Sequence, residues 1–141
     1  MWRSGRMNTL KGRTIAKGNA EGEILYTTEG ISFFGGVDPD TGIVAESGHP
    51  LEGVCITGKI LVFPQGKGST VGSYALYRMK KQGTAPKAII NAECETIVAV
   101  GAIISEIPCV DKIDISKIKT GQKVSVDGDA GAIDVEWFNN S

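Results

Sequence analysis

The central turn of this chain reads Phe63-Pro64-Gln65-Gly66-Lys67-Gly68-Ser69-Thr70-Val71-Gly72-Ser73-Tyr74. An apolar run at residues 60–63 precedes it and is typical of a buried strand. Residues 71–82 follow it, and Val71, Ala75 and Met79 recur there at the four-residue spacing of a helix. The pattern therefore predicts a glycine-rich turn that carries Ser69 and Thr70 from a strand into the chain's one convincing helix.

The start of a helix is an electropositive place for a hydroxyl group. Backbone N–H groups lack partners there, and the helix dipole adds to their positive potential. Such a position binds anions and favours the ionised form of a hydroxyl. Ser69 can therefore cap the helix, hold a phosphate or carboxylate, or act as a base, and capping is the commonest of these roles. A Walker A loop is excluded, because Gly68 follows Lys67 and Leu61 stands where that motif needs a glycine.

Composition indicates a single domain with no nucleic-acid or membrane footprint. The 141 residues include 15 basic and 16 acidic side chains, for a net charge of −1. No apolar run has membrane-spanning length and no secretory segment is evident, so we expect a cytoplasmic protein. Residues 1–6 precede a second methionine, and we expect them to be a disordered leader or remnant. The predicted domain spans residues 7–141.

The cysteines and the single histidine give little sign of a metal or redox site. Cys55, Cys94 and Cys109 form no C-x-x-C pair. Three cysteines can hold an iron–sulfur cluster, but the apolar context of each favours a small buried hydrophobic residue. His49 lies in a Ser-Gly-His-Pro sequence, which predicts a surface turn rather than a ligand or base.

The rest of the chain alternates short strands with glycine turns. The predicted strands are residues 14–17, 23–27, 42–46, 54–63, 88–91, 97–104 and 108–110, with a hairpin at 123–126 and 132–137. Many strands and one helix predict a β-rich α/β domain, either a small barrel or a sandwich with helices on its flank.

Several motifs, taken in order, give the chain a specific resemblance. They are Ile31-Ser32-Phe33-Phe34-Gly35-Gly36-Val37-Asp38-Pro39-Asp40-Thr41-Gly42, His49-Pro50-Leu51, Gly66-Lys67-Gly68-Ser69-Thr70-Val71-Gly72-Ser73 and Gly83-Thr84-Ala85-Pro86-Lys87-Ala88-Ile89-Ile90. From about residue 11 to 135 the chain resembles the small subunit of the aconitase X family. It is most similar to the free-standing small subunits of that family that act on mevalonate 5-phosphate.

The resemblance implies a fold, a partner and a reaction. The implied fold is the swivelling β/β/α domain found at the aconitase C-terminus. The implied partner is a large subunit that forms a heterodimer with this chain and holds a labile 4Fe–4S cluster, so that this chain itself needs no metal ligand. The implied reaction is dehydration of mevalonate 5-phosphate to trans-anhydromevalonate 5-phosphate in an archaeal-type mevalonate pathway of isoprenoid biosynthesis.

The resemblance also assigns roles to residues of the turn. Ser69 matches the catalytic serine of aconitases, the base that removes a proton next to a carboxylate. Gly68, Thr70, Gly35 and Gly36 are the expected substrate-binding residues. With this resemblance we favour a catalytic Ser69 over a capping one.

The chain departs from the aconitase pattern at the position after Thr70. Val71 stands about where aconitases proper have an arginine after their serine pair. The carboxylate-binding mode of aconitase therefore does not transfer directly to this chain.

Two other functions stay open from the sequence. Related aconitase X members dehydrate hydroxyproline-type substrates, although those are typically fused chains. Swivelling domains also serve as non-catalytic phosphate-binding or regulatory modules, including phosphohistidine carriers. A carrier needs a reactive histidine, for which His49 beside Pro50 is a poor candidate.

Overall fold

The computed structural model describes residues 5–66 and 72–138, which contain eight strands, three helices and one short 3₁₀ turn. The strands are β1 (Gly5–Lys11), β2 (Arg13–Ala16), β3 (Asn19–Tyr26), β4 (Ile60–Phe63), β5 (Ala88–Asn91), β6 (Cys109–Asp111), β7 (Lys123–Asp127) and β8 (Ala132–Phe138). The helices are α1 (Phe33–Gly36), α2 (Gly72–Gln82) and α3 (Thr96–Ser105), and the 3₁₀ turn is Ile115–Lys117.

The strands follow the order β1-β8-β7-β3-β4-β5-β6-β2. Strands β3, β4, β5 and β6 are parallel to one another, and the remaining pairs are antiparallel. Strand β3 joins the antiparallel strands β1, β8 and β7 to the parallel strands β4, β5 and β6. Its first five residues pair with β7, and its last three residues pair with β4.

The central parallel strands are buried on both faces. On β4, Leu61 and Phe63 pack with α2 and α3, while Ile60 and Val62 pack with the antiparallel strands through residues such as Val126. Both faces therefore need apolar side chains, which explains the uninterrupted apolar sequence of this strand. The result is a β/β/α sandwich, and the predicted fold class is confirmed.

Helix α3 occupies a segment whose sequence favours a strand. The prediction of a strand at residues 97–104, and of a single convincing helix, is wrong, because residues 96–105 are helical. The Glu95 side chain caps this helix by accepting a hydrogen bond from the Val98 N–H at 3.2 Å. A Cβ atom on Gly101 would lie 3.1 Å from Leu76, so α3 packs closely on α2. Capping and packing thus outweigh the strand propensity of its β-branched residues.

Smaller differences concern the loop before β4. Residues 42–46 and 54–59 are not strands; Val44 and Cys55 make only isolated bridges there. The predicted hairpin at 123–137 is confirmed, and Asp127 accepts hydrogen bonds from the two following turn amides of Asp129 and Ala130. Strand β1 begins at Gly5, two residues before the expected start of the domain at Met7. In the described part of the chain, no helix is both long and apolar enough to cross a membrane.

A half-buried ion pair fastens the edge strand β2 to β6. Arg13 donates hydrogen bonds from Nε and Nη2 to the two Asp111 carboxylate oxygens, at 2.9 and 2.8 Å. Asp111 is fully buried and also accepts from the Cys94 N–H at 2.8 Å. Burial opposes the ionised form, but the hydrogen bonds from Arg13 and Cys94 prevail and lower the pKa of Asp111.

This pair predicts a specific dependence of stability on pH. Because the folded pKa of Asp111 is lowered, its stabilisation is present above the ordinary carboxyl pKa of about 4 and is lost as pH falls through the folded value. We expect Arg13→Gln to lower the melting temperature most at neutral pH, with the gap to wild type closing in acid. Thermal unfolding between neutral pH and about pH 3 measures this.

The matched control is Lys59→Gln, which also removes one positive charge but breaks an exposed pair with Glu23. Exposed pairs contribute little, so this variant should follow the wild-type melting curve at every pH. An equal effect of both variants would contradict a special role for the buried Asp111.

Candidate functional site

The carboxyl ends of the parallel strands meet at one edge of the sheet, where α/β proteins commonly bind ligands. The turn that leaves β4 emerges at this edge. Residues 67–71, and with them the predicted Gly68, Ser69 and Thr70, lie outside the described residues. The structure does define what holds the turn at both ends and what surrounds it.

The loop that follows β5 holds the exit of β4. The Asn91 side chain donates a hydrogen bond from Nδ2 to the Phe63 carbonyl at 2.9 Å, and the Glu93 N–H donates to the Pro64 carbonyl at 3.0 Å. Asn91 is fully buried, and its Oδ1 accepts no hydrogen bond from the described residues. Sequence analysis missed this residue, although an asparagine that ends the apolar run Ala-Ile-Ile-Asn was the available signal.

Two glycines fix the ends of the turn against the first turn of α3. Gly66 forms a parallel bridge with Ile31, and a Cβ atom there would clash with Val98 Cγ2. A Cβ atom on Gly72 would lie 3.3 Å from Ile97 Cγ2. A contact under 3.0 Å requires the neighbouring atom to shift, so a side chain on Gly66 would displace Val98. The entry and exit of the turn are therefore determined by how α3 packs.

The two adjacent phenylalanines have different environments. Phe33 is 4% exposed and packs edge-on against Phe63 at 6.1 Å between ring centroids, whereas Phe34 is 53% exposed. Gly35 has φ +86°, a conformation that glycine adopts more readily than other residues, and beyond its chain neighbours no described residue lies within 4 Å of its Cβ position. A Cβ atom on Gly36 would lie 3.3 Å from Ser32. One ring belongs to the core and the other points outward beside an open glycine.

The structure brings this loop next to the turn. The Phe34 N–H nitrogen lies 4.0 Å from the Cβ position of Gly72, at the start of α2. The loop that holds Gly35 and Gly36, the two predicted substrate-binding residues within the described ranges, therefore approaches Gly72, the first described residue after Ser69. The Glu46 carboxylate borders the same place, since its Oε1 lies 3.5 Å from the Cβ position of Gly36.

An apolar cavity of about 390 Å³ lies between this loop and α2. Phe34, Tyr74 and Ala75 contribute to its wall, and Arg78 lies at its border in a 3.3 Å ion pair with Asp40. The cavity suits an apolar side chain better than a phosphate, because most of its lining is hydrophobic.

His49 is buried rather than in a surface turn, so that expectation is wrong. It is 5% exposed; its Nδ1 accepts from the Leu51 N–H at 3.0 Å and its Nε2 lies 3.0 Å from the Gly30 carbonyl. Because Nδ1 accepts, the proton resides on Nε2 and is donated to Gly30. Both ring nitrogens are therefore hydrogen-bonded to the backbone around the loop that precedes Phe33, and neither is free to act as a nucleophile.

The cysteines do not form a metal site. Cys55 is exposed, contrary to expectation, Cys94 is partly buried and Cys109 is buried. A hydrogen bond with the Cys94 thiol and burial raise the pKa of the Cys109 thiol well above its usual value. Among residues 5–66 and 72–138, no three His, Cys, Asp or Glu side chains are placed to hold a metal ion.

Comparison with known proteins relates this chain to one family along nearly its whole length. The family model described as the aconitase X swivel domain matches residues 9–135. The phosphomevalonate dehydratase small subunit of Thermococcus kodakarensis is 60% identical over 126 residues, which cover 89% of this chain and 95% of that protein. The protein of the same name from Methanosarcina acetivorans is 60% identical over 129 residues, covering 89% and 90%.

Solved structures agree with the sequence relatives. The crystal structure of Thermococcus kodakaraensis aconitase X in its holo-form superposes with a TM-score of 0.89 at 58% identity, covering 91% of this chain and 98% of that chain. The solution NMR structure of a UPF0107 protein superposes with a TM-score of 0.83 at 50% identity and covers the same shares, 91% and 98%.

The close packing of Gly66 predicts a measurable strain. We expect Gly66→Ala to lower the free energy of unfolding by about 1–3 kcal/mol, because the new methyl group must displace Val98. Urea denaturation of the purified chain measures this change.

The double variant Gly66→Ala/Val98→Ala is the control. Shortening Val98 removes the clashing atom, so the double variant should be more stable than the sum of the two single changes predicts. Strictly additive effects would show that Gly66 is not held by α3.

Proposed function

Because the chain belongs to the aconitase X swivel-domain family, we propose that it is the small subunit of a phosphomevalonate dehydratase. The observation that carries this proposal is identity of about 60% to relatives of that name over nearly their full length. The assembled enzyme is a hydro-lyase that converts mevalonate 5-phosphate to trans-anhydromevalonate 5-phosphate. The reaction removes a proton from the carbon next to the carboxylate and releases the neighbouring hydroxyl, so that water leaves and a double bond forms.

Ser69 is the proposed proton acceptor. A serine hydroxyl is a poor base unless its alkoxide is stabilised. The amide groups and dipole at the start of α2 supply such stabilisation, and no histidine lies in the motif to activate the serine instead. The defined geometry supports this role, because Gly66 and Gly72 fix both ends of the turn beside α3.

The glycines of the neighbouring loop are proposed substrate contacts. The open space at Gly35 allows a ligand to approach the backbone where a side chain would block it. Gly36 belongs to the loop that approaches Gly72 at the start of α2, and we infer that its backbone contacts the substrate together with the proposed contacts at Gly68 and Thr70. These groups orient the substrate so that the proton to be removed faces Ser69.

The 4Fe–4S cluster of the reaction is assigned to the large subunit. The residues described in this chain do not fit a cluster, since Cys55 is exposed on a loop, the Cys94 and Cys109 thiols are hydrogen-bonded to each other, and no three metal-ligating side chains come together. The chain's own contribution is therefore proton removal and substrate positioning. The partner's cluster and most of the remaining substrate contacts complete the site.

Two alternatives remain for experiment. A hydroxyproline-type substrate is distinguished by assay of the reconstituted enzyme with each substrate. A phosphohistidine carrier loses support because both nitrogens of His49 are engaged with the backbone. The cytoplasmic location expected from the sequence stays a prediction.

The proposal predicts that Ser69→Ala abolishes turnover and leaves the fold nearly intact. Loss of a catalytic base typically lowers a rate on the order of a hundredfold to ten-thousandfold. A serine that only caps the helix would instead cost roughly 1 kcal/mol of stability and little activity. Turnover of mevalonate 5-phosphate by the reconstituted two-subunit enzyme, beside a melting curve of each variant, separates these outcomes.

Thr70→Ala is the matched control, since it removes the neighbouring hydroxyl at the same helix end. It should retain far more turnover than Ser69→Ala. The small subunit without its partner gives the baseline and should show no turnover. Near-normal activity of Ser69→Ala with a lowered melting temperature would return Ser69 to a capping role.

The environments of the two phenylalanines predict opposite phenotypes. Phe34→Ala should fold normally and bind the large subunit at least about tenfold more weakly, because an exposed ring beside the site suits an interface anchor. Phe33→Ala should instead lose about 3–5 kcal/mol of stability, because it empties the core beside Phe63. Titration of the large subunit, together with urea denaturation, distinguishes them; full affinity in Phe34→Ala would exclude it from the interface.

A further inference from the structure

Exposed apolar side chains of this chain are concentrated on its helical layer. Of the eight large hydrophobic residues that are exposed in the described ranges, six lie on α1, α2 and α3. We call these six residues the helical face: Phe34, Tyr74, Tyr77, Val100, Ile103 and Ile104. Isolated exposed apolar residues are ordinary, whereas a contiguous group of them marks an interaction surface.

Helix α3 is apolar on both sides. Val100, Ile103 and Ile104 are 43%, 56% and 40% exposed, and their spacing places them on one stripe of the helix. The opposite stripe, with Val98 and Ala102, is buried against the core. No charged residue occurs from Thr96 to Ser105. A helix that is apolar all round is normally covered on all sides, so the outer stripe of α3 requires a partner.

The two long helices join their exposed residues into one surface. They run side by side in the same direction: Ser73 donates to the Ile97 carbonyl at 2.9 Å, and Lys80 donates to the Glu106 carbonyl at 3.4 Å. Tyr77 lies between these two contacts along α2, level with the middle of α3. The tyrosines of α2 therefore continue directly into the stripe of α3.

We propose that the helical face is the docking surface for the large subunit. This inference rests on the proposed function and specifies where its partner binds. The large subunit must cover the carboxyl edge of the sheet to complete the site. Helices α2 and α3 both start at that edge, and Phe34 and Tyr74 connect it to the rest of the helical face. A partner seated on the site therefore extends across α2 and α3 without a break.

The surroundings of the face define the chemistry of the matching surface. Arg78, Lys80 and Lys81 follow Tyr77 on α2, and the Lys81 ammonium lies 5.4 Å from the Tyr77 ring centroid. The matching surface on the large subunit is thus an apolar centre with acidic side chains at its border. The 390 Å³ cavity beside Phe34 receives one apolar side chain of that subunit.

The test places a charge in the centre of the face. Ile103→Lys should fold normally, because the residue is 56% exposed, and should weaken binding of the purified large subunit by more than about tenfold. Turnover at saturating large subunit should equal that of the wild type, since Ile103 takes no part in the reaction. The control Val54→Lys changes an apolar residue of similar size that is 36% exposed outside the helical layer, and it should bind normally.

Val100→Ser is a second variant that leaves the helix uncharged. It should weaken binding in the same direction, and its melting curve verifies that the fold is retained. Wild-type affinity in both Ile103→Lys and Val100→Ser would overturn the proposal. It would also be overturned if the small subunit alone were a dimer that Ile103→Lys dissociates while large-subunit binding stays unchanged, because a second copy would then occupy the face.

The same experiment separates this inference from the proposed reaction. If the wild-type subunits assemble and Ile103→Lys weakens that assembly, the docking proposal is supported. This holds even if the assembled enzyme does not turn over mevalonate 5-phosphate, a result that would contradict only the proposed reaction. If the substrate is turned over but both variants bind normally, the function stands and the docking surface fails.

Discussion

The packing of Gly66 against the first turn of α3 is the constraint on which the candidate site depends. A single methyl group at this position would overlap Val98, so strand β4 can leave the sheet only along the path that α3 allows. The fully buried Asn91 and the Glu93 N–H fix the two carbonyl groups just before that point. Strand β5, the loop after it and helix α3 thus fix the last described residues before the proposed catalytic turn. An alkoxide is stabilised best by groups that are held in place before the reaction, and this is what the proposed role of Ser69 requires.

The elements that the sequence predicts correctly are those whose local pattern of apolar residues favours one kind of secondary structure. The Ile60–Phe63 run is short, apolar and followed by a glycine-rich turn, which favours a strand buried on both faces, and the spacing of Ala75 and Met79 favours a helix. Strand β4 and helix α2 were therefore accessible from the sequence. His49 and Asn91 were not, because their roles come from distant backbone carbonyls, Gly30 and Phe63, that no local pattern reveals. The resemblance to a family supplied the remaining assignments, above all the role of Ser69.

The proposed division of labour between two chains accounts for what this chain lacks as an enzyme. Cys55 is exposed, the thiols of Cys94 and Cys109 hydrogen-bond to each other, and the histidine is engaged by the backbone. The described residues therefore offer neither a group of three metal ligands nor a histidine base. What the described residues do offer is the start of α2 with the loop of Gly35 and Gly36 near it. In the proposed function this region removes the proton, and the cluster proposed for the partner acts on the leaving hydroxyl.

The wrong prediction for α3 and the proposed docking surface have the same physical origin. Residues 97–104 predicted a strand because this apolar run is rich in β-branched residues, the pattern of a segment that is buried on both sides. In the isolated chain only one side of this helix is buried, and Val100, Ile103 and Ile104 remain exposed. The sequence of α3 is apolar on both sides, but the single chain buries only one of them. We therefore infer that the large subunit covers the other side in the assembled enzyme. The composition of α3 was therefore informative about its environment even where it was misleading about its secondary structure, and that environment is the complex rather than the single chain.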